Sequence, residues 1–135
     1  MATIWKYKID LSDENCFEKY EKLYGFSFPI DLKEFIIENN ASYPDKKCIM
    51  FGEDEHVVDS LLSFNETEDE ADTFCDIYDS LKRKDIIPFA RDPFGNYYYY
   101  FLGSCKIGYY SHEDNKYIPS DYSLKEFIDA LYEAD

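Results

Sequence analysis

The chain has 135 residues, of which 45% are hydrophobic and 19% aromatic, enough for one domain with its own core. Fourteen Lys and Arg stand against 29 Asp and Glu, a net charge of −15, which argues against nonspecific binding to nucleic-acid phosphates or anionic membranes and leaves a basic protein as the favoured partner. No stretch approaches the ~20 apolar residues of a membrane span, the N-terminus lacks a signal-peptide pattern, and no repeat or linker divides the sequence, so one cytoplasmic domain over residues 1–135 is expected.

In chain order, Ser12 followed by Asp13 and Glu14 predicts a helix start, because a capping hydroxyl and acids suit the positive end of the helix dipole. Phe17, Tyr20, Leu23 and Tyr24 recur at helical spacing, and Gly25 stops the helix. Pro29 opens a second helix with Leu32, Phe35 and Ile36 inward and Asn39-Asn40 at its end. Cys48 to Phe51 is a short apolar run closed by Gly52 and predicts a strand. The segment His56 to Phe64 fits either a strand or a helical turn. After a polar stretch from Asn65 to Asp72, the residues Phe74, Ile77, Tyr78 and Leu81 predict a third helix. It ends in Lys82-Arg83-Lys84, where cations complement the dipole.

The last third reads as an antiparallel meander. Asp85 to Ala90 is a strand, Arg91 to Asn96 is turn chemistry, and Tyr97 to Leu102 is a β-favouring aromatic run. Lys106 to Tyr110 and Tyr117-Ile118 follow as strands. Ser123 with Glu126 three residues on forms a capping box for a final helix. The expected class is α+β: a mainly antiparallel sheet flanked by about four helices.

Several motifs together resemble the SUKH superfamily. They are Pro29-Ile30-Asp31-Leu32-Lys33-Glu34-Phe35, the pair Phe51-Gly52, Ile87-Pro88-Phe89-Ala90-Arg91-Asp92 with Gly95-Asn96, and Ile107-Gly108-Tyr109-Tyr110-Ser111-His112-Glu113. Their order and spacing agree from about Leu11 to Leu131. Asn96 stands where members often carry Asp. The resemblance implies a SUKH-like fold and a protein-binding role. The superfamily includes yeast cell-wall-synthesis regulators and many bacterial immunity proteins that bind toxins.

The chemistry-bearing residues point the same way. Cys16, Cys48, Cys75 and Cys105 include no CxxC pair, so buried or half-buried free thiols are expected and no structural zinc. Asn65, Thr67 and Asp69 have EF-hand spacing, but Glu70 stands where that loop needs Gly. His56, His112 and Asp92 lie in no nucleophile-elbow, HExxH or Walker context, and the glycines form no GxGxxG. No catalytic residue, cofactor or metal is expected.

The remaining signal is charge. Between Glu53 and Asp79 there are eleven acids and no Lys or Arg. The expected partner-binding residues are Glu53, Asp54, Glu66, Glu68, Asp69, Glu70 and Asp72. Tyr98 and Tyr100 are added on the expectation that their strand face is displayed as an aromatic anchor. The expected function is an immunity protein that occludes a cognate toxin, plausibly a nuclease. A regulatory or scaffold domain with an endogenous signalling partner is the alternative.

Overall fold

The computed structural model describes residues 2–134. Among these residues four helices, α1 (Cys16–Tyr24), α2 (Ile30–Asn39), α3 (Phe74–Leu81) and α4 (Leu124–Asp129), accompany nine strands. Five strands form one antiparallel sheet in the order β5 (Ser60–Leu61), β6 (Ile86–Arg91), β7 (Tyr97–Phe101), β8 (Lys106–Ser111) and β9 (Lys116–Pro119). Two small pairs stand apart: β1 (Trp5–Lys6) with β2 (Tyr43–Pro44), and β3 (Cys48–Phe51) with β4 (Asp54–Val57). The expected α+β architecture is the one observed.

Local chemistry sets the helix limits. Ser123 accepts the Glu126 amide while Glu126 accepts the Ser123 amide, the reciprocal capping box expected for α4. Gly25 ends α1 in the left-handed conformation, φ +79°, and donates to Glu21 O. Ser12 does not start α1. Its amide is taken by Asn65 Oδ1 at 2.8 Å, and the helix begins at Cys16 behind a turn in which Asp13 Oδ1 accepts the Asn15 amide. Leu23, one of the residues at helical spacing, is 71% exposed, because Phe17, Tyr20 and Tyr24 occupy the inner stripe of this short helix.

The ambiguous stretch from His56 resolves into strand: the end of β4, then β5. A β-bulge between Pro88 and Ala90 shifts the β6–β7 register. It turns both Phe89 and Ala90 toward the core, which a regular alternation would not do.

The inner sheet face carries Ile87, Phe89, Ala90, Tyr98, Tyr100, Ile107 and Tyr109. It packs on Phe17, Tyr20, Leu32, Ile36, Phe74, Ile77, Leu124 and Phe127 of the helices. Burial of these side chains drives the fold at roughly 1.5–3 kcal/mol each.

Cys16 and Cys48 are buried and Cys75 half-buried, as expected, but Cys105 is exposed at a strand turn. Burial pushes the Cys16 thiol up to about 11, so it is inert at neutral pH.

Candidate functional site

The register decides which tyrosines are displayed, and it reverses the expectation for Tyr98 and Tyr100. Tyr98 pairs with Ala90 and Tyr109, and Tyr100 with Ile87 and Ile107, all on the inner face. Both are buried. The Tyr98 hydroxyl donates to Val57 O at 2.7 Å, and the Tyr100 hydroxyl donates to the Asp31 carboxylate at 3.2 Å, tethering α2 to the sheet. Neither is an exposed anchor. The alternate residues of β7 are Tyr97, Tyr99 and Phe101, of which Tyr99 is itself buried and Tyr97 and Phe101 are half-buried.

The acidic segment falls into two places. Glu53 and Asp54 sit exposed at the β3–β4 hairpin. Glu66 to Asp72 form a loop whose ends are held together: Ser63 and Thr73 make a parallel bridge, the Ser63 amide donates to Asp72 O and the Phe74 amide to Ser63 O, both at 2.8 Å. Thr73 then caps α3, accepting the Asp76 amide at 3.3 Å.

A buried polar chain fixes this loop from beneath. Asn40, fully buried, accepts the Phe64 amide at 2.7 Å and donates to Ile9 O at 3.0 Å and Ser63 Oγ at 3.3 Å. Ser63 donates onward to Glu68 Oε1 at 3.0 Å. Asn65 donates to the same oxygen at 3.1 Å and to Asp10 O at 3.1 Å. Glu68 is therefore a staple of the loop. Neutralising Glu68 would take a charged acceptor from two donors, Ser63 and Asn65. Asp72 is also committed: it pairs with Arg91 at 3.0 Å, and Arg91 reaches Asp59 at 3.3 Å on its other side.

Glu66, Asp69 and Glu70 remain exposed. Glu66 lies 3.8 Å from Lys19, while Asp69, Glu70, Glu53 and Asp54 make no salt bridge among the described residues. Glu68, Asp69, Glu70, Asp72, Thr73 and Asp76 line an open cleft of about 400 Å³ with Arg91 at one wall. Glu53 and Asp54 are not part of it. Among the described residues, no group of three or more His, Cys, Asp or Glu is arranged to hold a metal ion.

The Asp92 region behaves differently. Asp92 Oδ1 accepts the Phe94 and Asn96 amides at 2.8 and 2.9 Å, and Oδ2 accepts Asn96 Nδ2 at 2.9 Å and the Tyr109 hydroxyl at 2.7 Å. Burial pushes its carboxyl upward, but these bonds outweigh burial and hold it below the usual carboxylate range. Asn96 Oδ1 accepts the His112 amide at 2.9 Å and lies 2.6 Å from His112 Nδ1. A carbonyl oxygen only accepts, so Nδ1 carries a proton. His56 lies against Tyr109 in a tilted ring contact with ring centres 4.3 Å apart, and burial lowers its pKa. This arrangement locks a turn against two strands. Asp92 has spent its acceptor capacity on structural donors, so it is not poised as a base.

Sequence reasoning missed Asn40, Ser63 and Arg91. Asn40 reads as a helix terminator and Ser63 as one polar residue in an apolar run. Only the fold brings them together, across 23 residues.

Among the described residues, no helix is long and apolar enough to cross a membrane. The sequence profile of the SMI1 / KNR4 family (SUKH-1) matches residues 12–130. A comparison with curated proteins finds no match.

Proposed function

The chain belongs to the SMI1 / KNR4 family (SUKH-1), and on that premise we propose that it is a cytoplasmic immunity protein that occludes a basic toxin domain of the nuclease class. The family is one of immunity and binding domains, which favours a protein partner over a substrate. The observation that carries the finer reading is the acidic loop. Its ends are bridged and its base is stapled by Asn40, Ser63 and Glu68, yet Asp69 and Glu70 point charge at solvent with no salt-bridge partner among the described residues.

Holding like charges together costs stability, and a rigid loop meets a partner with little ordering entropy left to lose. A nuclease must present cations to bind phosphates. Acids that engage those cations block substrate by occupying its place, and the net charge of −15 speeds the encounter. Speed matters, because an immunity protein must bind before damage occurs.

The test is co-purification with the C-terminal domain of the protein encoded immediately beside this chain, together with a viability assay. A one-to-one complex and protection of cells expressing that domain are expected. A nuclease-like neighbour that neither binds nor is inhibited contradicts the reading and favours the regulatory alternative.

A further inference from the structure

The outer face of the five-stranded sheet runs between two different chemistries. At one end Arg91, held by Asp59 and Asp72, pairs across the ladder with Tyr97, which pairs with Tyr110 and then Tyr117. At the other end Phe101 pairs with Lys106. The two ends are four residues apart along β7, roughly 13 Å at the rise of an extended strand.

Between them lies a groove of about 220 Å³ whose lining includes Tyr99, Phe101, Gly108 and Tyr117, with Arg83 and Lys106 also contributing. Gly108 makes the floor: a Cβ there would sit 2.3 Å from Tyr99 Cζ, so only glycine lets that ring lie across the next strand. Arg83 stacks over Tyr117 at 4.3 Å, held in place by a two-point bond to Asp85 at 2.8 and 2.6 Å. Lys106 has no salt-bridge partner among the described residues.

We infer that this groove is a second docking site, and that it takes an apolar side chain flanked by a carboxylate, presented by a protein partner. Tyrosine and arginine around an apolar floor are the side chains that most often anchor interfaces. The volume falls below the roughly 300 Å³ at which small-molecule sites begin, and fits a side-chain anchor. The adjacent edge strand β9 is short and carries Lys116 and Pro119, features that discourage pairing of an added strand. The occupant therefore lies on the face, not along the edge. At physiological salt the chain's net charge is screened beyond about 8 Å, so local charge decides, and Lys106 supplies it, because the Arg83 guanidinium is already paired with Asp85.

The site does not depend on the acidic loop's role. Where both operate, the footprint is bipolar, with cations of the partner at one end and its carboxylate at the other, which fixes orientation.

The experiment is an amide chemical-shift titration of the full chain at physiological salt. The probes are the blocked peptide acetyl-Glu-Leu-Phe-Glu-amide and its charge-reversed form, acetyl-Lys-Leu-Phe-Lys-amide. The acidic peptide should shift the amides of Ser104, Lys106 and Gly108 and leave Glu66, Asp69 and Glu70 unmoved. Lys106→Glu, an exposed change that spares the core, should weaken it up to about fivefold. Absence of shifts at the groove, equal shifts with both peptides, or no effect of Lys106→Glu would overturn the inference. Groove shifts that grow with protein concentration alone would assign the site to a second copy and overturn it too. Neutralising Glu66, Asp69 and Glu70 should leave this titration unchanged, so failure here and failure of the acidic-loop reading are distinguishable.

Discussion

The Asp92 turn and the acidic loop both place carboxylates beside the same sheet, and they use their charge in opposite ways. Around Asp92 every carboxylate lone-pair direction meets a donor: two amides, an amide side chain and a tyrosine hydroxyl. In the loop Glu68 accepts two donors and Asp72 pairs with Arg91, while Asp69 and Glu70 face water. The same residue type is architecture where the fold supplies donors and open surface charge where it withholds them.

The largest effect should come from breaking the satisfied side. Asp92→Ala leaves the Tyr109 hydroxyl and the Asn96 side chain without their acceptor, and should cost about 3 kcal/mol in urea unfolding, through a lower midpoint at unchanged slope. The sign of the pH effect follows from the direction of the shift. The folded carboxyl titrates below its unfolded value, so its stabilisation is complete above about pH 4 and is lost as pH falls through the folded pKa. A wild-type acid limb identical to that of Asp92→Ala would contradict this.

A smaller effect separates the loop's own acids. Glu68→Gln, which removes the charge from two hydrogen bonds, should cost about 1 kcal/mol. Joint replacement of Glu66 and Glu70 by Gln and Asp69 by Asn should stay within about 0.5 kcal/mol of wild type. Equal losses in the two proteins would erase the distinction between staple and surface.

The smallest effect concerns His56. Burial lowers its pKa, against the pull of Asp54 and Asp92. Its neutral form is the folded one, so stability is full above about pH 6.5 and declines as pH drops below that toward the folded pKa. His56→Gln should flatten that slope, as read from thermal midpoints between about pH 5 and 7.

Much of the fold was legible because it rests on local rules. The apolar spacing of Phe74, Ile77, Tyr78 and Leu81, the Ser123–Glu126 box and the turn chemistry at Asp92 each act over a few residues. The face of Tyr97 to Phe101 was not legible. All five are aromatic, so alternation carries no contrast, and only pairing with Ile87, Ala90, Ile107 and Tyr109 turns Tyr98 and Tyr100 inward. The loop's charge was plain in the sequence. Its division into staple and free acids was not, because Asn40 and Ser63 come from distant segments.

The most direct test of the acidic loop is the association rate of the chain with the toxin domain proposed as its partner, measured by stopped flow. The rate is followed as ionic strength rises from about 0.01 to 0.15 M, over which the Debye length shrinks from ~30 to ~8 Å. The wild-type association rate should fall steeply while dissociation changes little, and replacing Glu66, Asp69 and Glu70 together should slow association and flatten its salt dependence. A folded triple variant that associates as fast as wild type, with the same salt slope, would contradict the assignment of this loop as the docking surface.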